Sequence, residues 1–250
     1  MLNILYSEFL KLKRSFFLLL ILAGGAFLPL LMLAGHINSD IDTRWASYAG
    51  NIEAFMFLLG GVVLFSLATS YIFSREFTDK TAAALYTYPV NRIKILICKL
   101  LVIFSIILAV YILQFILTFC GGLLLKHEPL TKEILLYHMK IHLCSMVLQF
   151  ALIPAVVLIA SISKNIIPSI IYGVMAGLSN MFLMESDKYI YSPFMFPVLP
   201  LLQLKGAKAD ATVASAMNFN LQTSSVLYAV AFFTIGLIGC IVYTSKTDIH

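Results

Sequence analysis

Charge is what this 250-residue sequence has least of. Asp, Glu, Lys and Arg make up 12% of it, against 61% hydrophobic residues and a mean hydropathy of +0.96. A soluble domain carries about 25% charged residues, so that class is excluded. Cysteine is also scarce. Cys98, Cys120, Cys144 and Cys240 lie in or beside apolar runs, with no close pair spaced for a metal site or a disulfide framework. Buried free thiols are expected, with a Cys120–Cys144 bridge as the alternative because both approach one face. No Gly-x-x-x-x-Gly-Lys-Ser/Thr run occurs, so the loop that cradles nucleotide phosphates is missing. His138 and His142 stand four apart around Met139-Lys140-Ile141 without the glutamate a zinc protease needs, and they read as a pair at the membrane interface. Ionisable side chains are nearly absent from the long apolar runs, which argues against an intramembrane enzyme or a proton-driven pump.

What is there in quantity is apolar length. Crossing about 30 Å of hydrocarbon takes roughly 20 helical residues. Six stretches meet or approach this: Phe16–Gly35, Phe55–Phe73, Leu100–Leu125, Ile141–Ile162, Ile166–Met184 and Val226–Tyr243. None alternates with a period of two, so a β-barrel is excluded and the spans must be helices. The expected fold is all-α: a single polytopic membrane domain over residues 1–250. With six spans both termini share one side. Placing them in the cytoplasm puts ten basic residues inside (Lys11, Lys13, Arg14, Arg75, Lys80, Arg92, Lys94, Lys99, Lys164, Lys246) and seven outside, the bias the positive-inside rule asks for. The first external loop then holds Arg44 among Asp40, Asp42 and Glu53. The basic balance reflects topology and gives no reason to invoke nucleic acid. Phe16–Gly35 is too long for a signal-peptide core and lacks a clear small-x-small cleavage site, so it reads as a true span.

Leu2, Leu5, Phe9, Leu12 and Phe16 recur at helical spacing, with Ser7, Glu8, Lys11 and Arg14 between them. Residues 1–15 therefore read as an amphipathic helix lying in the interface, or more plainly as a basic anchor. Residues 185–225 are too long for a simple connection. Their apolar centre, Ser192 to Leu204, is too short to span and holds three prolines, which predicts a re-entrant external hairpin. Pro29 and Pro154 are expected to kink the first and fourth spans. Ser169, Gly173 and Gly177 form a small-residue ridge on the fifth span, suited either to packing within the chain or to a dimer seam; Gly236 and Cys240 repeat the theme on the sixth. Gln114 and Gln149, near mid-depth of consecutive spans, read as an interhelical amide pair or as the lining of a polar substrate path.

The most distinctive stretch is the hinge over residues 75–94. Glu76 and Asp79 precede Lys80-Thr81, the small apolar run Ala82 to Leu85, Pro89-Val90-Asn91-Arg92 and Lys99-Leu100. Acidic residues favour the start of a short helix, and Pro89 would end it. This pattern resembles the cytoplasmic loop of ABC exporter permeases of the second class, a group that includes bacitracin-resistance, lantibiotic-immunity and other peptide-exporting systems. Asn91 stands where that pattern has serine, and Cys98 where it has glycine. Chain length, six spans, the amino-terminal helix and the long segment before the last span extend the similarity over the whole chain. The resemblance implies a plasma-membrane permease subunit, without catalytic or metal residues and without a cofactor of its own. It implies that ATP and Mg are bound by a separate ATPase partner, which engages Arg75, Glu76, Asp79, Lys80 and Thr81. A second copy or a sister permease completes the transporter, and amphipathic or antimicrobial peptides are the cargo. The competing reading is a peptide-binding sensor or scaffold that transports nothing.

Overall fold

The computed structural model describes residues 2–13, 15–37, 43–79, 81, 91–126, 128–186, 189–205 and 223–246. Lys80, the run from Ala82 to Val90 and residues 206–222 of the external segment lie outside the described residues. Every regular element described is helical, and six helical stretches are long and apolar enough to cross a membrane. The chain is an all-α polytopic membrane protein.

Helix α1 (Leu2–Lys13) precedes the first span, α2 (Phe17–His36). Only Ile21, Gly25 and Pro29 of α2 are buried, and the helix continues through Pro29. It approaches the third span where it has no side chain: a Cβ at Gly25 would fall 2.6 Å from a Val110 methyl.

The second span departs from the expected boundary. The hydropathy pattern begins it at Phe55, yet α3 (Trp45–Phe55), a π-helical turn (Met56–Gly60) and α4 (Gly61–Thr78) form one 34-residue stretch. Glu53, expected in an external loop, is instead wholly buried within it. The upper end is held by the connection to the fourth span. Glu128 accepts the Trp45 backbone N–H at its carboxylate and the indole N–H at its carbonyl, both at 2.9 Å, and the Trp45 ring stacks on Phe119.

The third span, α5 (Arg92–Gly122), starts at Asn91, whose side chain accepts the Ile93 N–H at 2.9 Å. Asparagine and serine cap helices by the same bond, so Asn91 supplies a cap that a serine could also supply. The fourth span breaks at Leu152 into α6 (Lys132–Ala151) and α7 (Ile153–Ser163), as a proline at Pro154 dictates. Lys164, in the left-handed conformation (φ 52°), ends α7. The last span, α10 (Thr223–Lys246), settles on the break: the Cys240 thiol donates to the Pro154 carbonyl at 3.2 Å, and a Cβ on Gly236 would meet the proline ring at 2.9 Å.

The fifth span, α8 (Ile166–Leu183), is capped by Asn165. Two 3₁₀ turns (Tyr189–Tyr191 and Pro193–Val198) and α9 (Leu199–Lys205) follow. The proline-rich piece does not span. Met195 to Leu201 are buried in the bundle, and the piece packs against α6, α8, α10 and the π turn. Asn180 ties these parts together, its amide donating to the Leu58 carbonyl of the π turn at 2.8 Å and to the Phe194 carbonyl at 3.0 Å. Asn180→Ala should therefore lower stability by about 1–3 kcal/mol, the cost of leaving buried acceptors without their donor. Thermal unfolding of the purified protein measures this, with Ser179→Ala, a change at a half-buried hydroxyl, as the comparison.

Candidate functional site

Four charged side chains from three distant parts of the chain converge beside the hinge. Glu76 lies in the last turn of α4, not at the start of a new helix as its acidic neighbourhood suggested. A carboxylate there is disfavoured by the helix dipole, and the cations around it explain its presence. Lys11 of α1 bonds Glu8 at 2.5 Å and Glu76 at 3.1 Å. Lys99, buried at 3% exposure in the first turns of α5, reaches Glu76 at 3.0 Å and Glu8 at 3.5 Å, and donates to the Ile72 carbonyl at 2.9 Å. Two carboxylates and two ammonium groups thus balance within a site largely closed to water.

Arg75 adds an outer layer. Its Nη1 donates to the Lys11 carbonyl at 3.0 Å, satisfying one of the carbonyls that the end of α1 leaves without a helical partner. Its Nε pairs with Asp79 at 3.3 Å. Thr81 turns back, its backbone N–H donating to the Glu76 carbonyl at 2.9 Å. Asp79 and Thr81 remain exposed. Burial alone would push the Glu8 carboxyl up, but Lys99 and Lys11 outweigh it and hold Glu8 below its ordinary value. Burial would likewise lower Lys11, yet its contacts with Glu8 and Glu76 raise it.

The geometry also explains the amphipathic first helix. Its bundle-facing side buries Glu8 and Leu12, while Leu2, Tyr6 and Phe9 are exposed; the apolar stripe is thus divided, Leu12 docking with the charged residues and Leu2 and Phe9 facing outward. Of this node the sequence pattern singled out Arg75, Glu76, Asp79 and Thr81. Glu8, Lys11 and Lys99 were missed as their partners. The available signal was Lys99, a lone cation inside the run Cys98-Lys99-Leu100-Leu101. Next to the node a cleft opens among Phe73, Phe77, Arg92, Lys164 and Tyr243, at the two ends of the hinge.

The other sequence candidates lie elsewhere. Ser169, Gly173 and Gly177 are buried, and their ridge is filled by the chain's own second span: a Cβ on Gly173 would fall 2.7 Å from both Cβ and Oγ of Ser66, and one on Gly177 would fall 2.8 Å from Leu59. Gln114 and Gln149 are buried too, but they do not pair, since both amide atoms of Gln114 and the amide oxygen of Gln149 lack hydrogen-bond partners. Cys98 and Cys240 are buried, Cys144 half-buried and Cys120 exposed, with no disulfide among the four.

A six-span helical bundle with a buried charge node suits a transporter's membrane subunit, and the comparisons agree. The model of the ABC-2 family transporter proteins matches residues 4–180, and the chain belongs to that family. Among curated proteins, the bacitracin transport permease protein BCRB of Bacillus licheniformis is 27% identical over 213 residues, which cover 84% of this chain and 96% of the relative. No solved structure matches. The chain is a multi-pass transmembrane permease of the ABC exporter type, a family that works with an ABC ATPase.

Proposed function

We propose that this chain is the permease subunit of an exporter of amphipathic or antimicrobial peptides, conferring resistance or immunity. A separately encoded ATPase would energise it through the hinge between the second and third spans. The observation that carries this reading is the node. Glu76 at the start of the hinge and Lys99 shortly after its end are bonded to each other and to α1, so a force applied to the hinge must move the interfacial helix and two spans together. The bacitracin permease relative supports a peptide cargo, and the apolar character of the spans suits a substrate drawn from the membrane. In this reading both termini are cytoplasmic, ATP and Mg sit in the partner, and a second permease copy or sister chain completes the transporter.

Glu76 is embedded, so it is a poor probe of docking; Asp79 is exposed beside it. In proteoliposomes holding the chain and its ATPase, Asp79→Lys should lower peptide-stimulated ATP hydrolysis several-fold while insertion and thermal stability stay unchanged. Equal stimulation in the variant would remove the hinge as the docking site. Peptide binding without any stimulation in the native complex would favour the sensor reading.

A further inference from the structure

At the end of the bundle away from the node lies a second buried charged cluster. Glu53 stands 25 residues before Thr78 in the same helical stretch, roughly 37 Å along it. Its side chain is fully buried, and one oxygen, Oε1, meets Nδ1 of His138 at 2.8 Å and Nδ1 of His142 at 3.1 Å. Helical spacing puts both histidines on one face of α6, together with Ser145. Across from them, Tyr111 and Phe115 of α5 and Phe57 of the π turn pack their rings against His142. Further polar atoms have no protein partner: Oε2 of Glu53, Nε2 of His142 and the Tyr111 hydroxyl, together with both amide atoms of Gln114 and the Ser145 hydroxyl, one helical turn along the same faces of α5 and α6, are buried without a hydrogen bond.

Two features of this cluster call for a ligand. A carboxylate facing two neutral imidazoles carries an uncompensated negative charge, which a low-dielectric interior strongly disfavours. One added proton on either imidazole makes the cluster neutral. In addition, several unpartnered donors and acceptors in one interior are the usual mark of ordered water, which bonds two to four such groups at once. We propose that Glu53, His138 and His142 form an internal proton-binding site, hydrated through Tyr111, Gln114 and Ser145, in which the two imidazoles share one proton against the Glu53 carboxylate. Among the described residues, the titratable groups around it are few. Tyr111 faces it from α5, and Tyr137 lies beside His138 on α6. His36 at the end of α2 turns to Tyr48 and to the Met32 carbonyl, and Glu128 is engaged by Trp45.

The full-length protein labelled with ¹⁵N-histidine, reconstituted in lipid and followed by solid-state NMR from pH 5 to 9, tests this directly. At pH 7 one of the two imidazoles, assigned with His142→Gln, should be doubly protonated, its charge balancing the Glu53 carboxylate. In Glu53→Gln, where that balance is no longer needed, both imidazoles should be singly protonated at the same pH. Magnetisation should also pass from water to both rings on the timescale of direct contact. If both imidazoles are singly protonated throughout, or both rings are dry, the site as proposed does not exist. The native titration and water transfer decide this without the variants, so the test holds even if Glu53→Gln fails to insert.

Discussion

Replacing Lys99 by methionine should lower the stability of this permease by about 3–5 kcal/mol, the cost of breaking a buried ion pair from one side. The substitution keeps the aliphatic stem and deletes the ammonium group. Glu8 and Glu76 are then left to share Lys11, which is the more exposed of the two cations, at 35% against 3%. Removing one partner of a buried ion pair has this cost because the stranded charge stays buried. The Ile72 carbonyl loses its extra donor as well. Lys13→Met, at an exposed position of α1, should change little. Thermal unfolding and protease protection of α1 in detergent compare the two, and equal curves would mean that the node contributes nothing. Glu76→Gln combined with Lys99→Met should recover part of the loss, because the stranded charge is then gone.

Gly173→Leu should be nearly as damaging, for a steric reason. A Cβ alone would stand 2.7 Å from Ser66 and 3.3 Å from the Val62 carbonyl oxygen, and a carbonyl in a helix cannot step aside. α8 must move away from α4, and overpacking of this kind costs about 1–3 kcal/mol, here toward the upper end. Met175→Leu, at a position 63% exposed on the same helix, should be neutral. Ser66→Gly should partly rescue Gly173→Ala, since it removes both clashing atoms. Identical unfolding temperatures for Gly173→Leu and Met175→Leu would show that the two helices do not meet there.

The contrast between these two sites shows what a sequence can disclose. The ridge was legible because its information is local: three small residues at intervals of four share a face whatever the fold, and only the identity of the facing helix was missing. The node was not legible in full. Glu76 and Lys11 are bonded across 65 positions, and local rules assign a glutamate near a charged turn to the beginning of a helix. Tertiary partners reversed that preference. Glu53 was misplaced for a related reason. Hydropathy ends a span where polar residues begin, whereas the helix continues for as long as neighbours can receive it, and His138 and His142 meet one oxygen of this glutamate from 85 or more positions away. The six crossings, the break at Pro154 and the failure of the proline-rich piece to span follow from composition and covalent geometry alone.

The π turn at Met56–Gly60 accommodates one more residue than an α-helix would use over the same rise. One residue corresponds to about 100° of rotation, so the faces of α3 and α4 are set at different azimuths. Deleting a single residue there would let the backbone heal into regular helix, yet it would turn Glu53 and Trp45 away from their partners relative to everything below. The second span is therefore sensitive to its residue count as well as to its residue types, and homologous chains should align through this turn without a gap or else carry a matching change in α6.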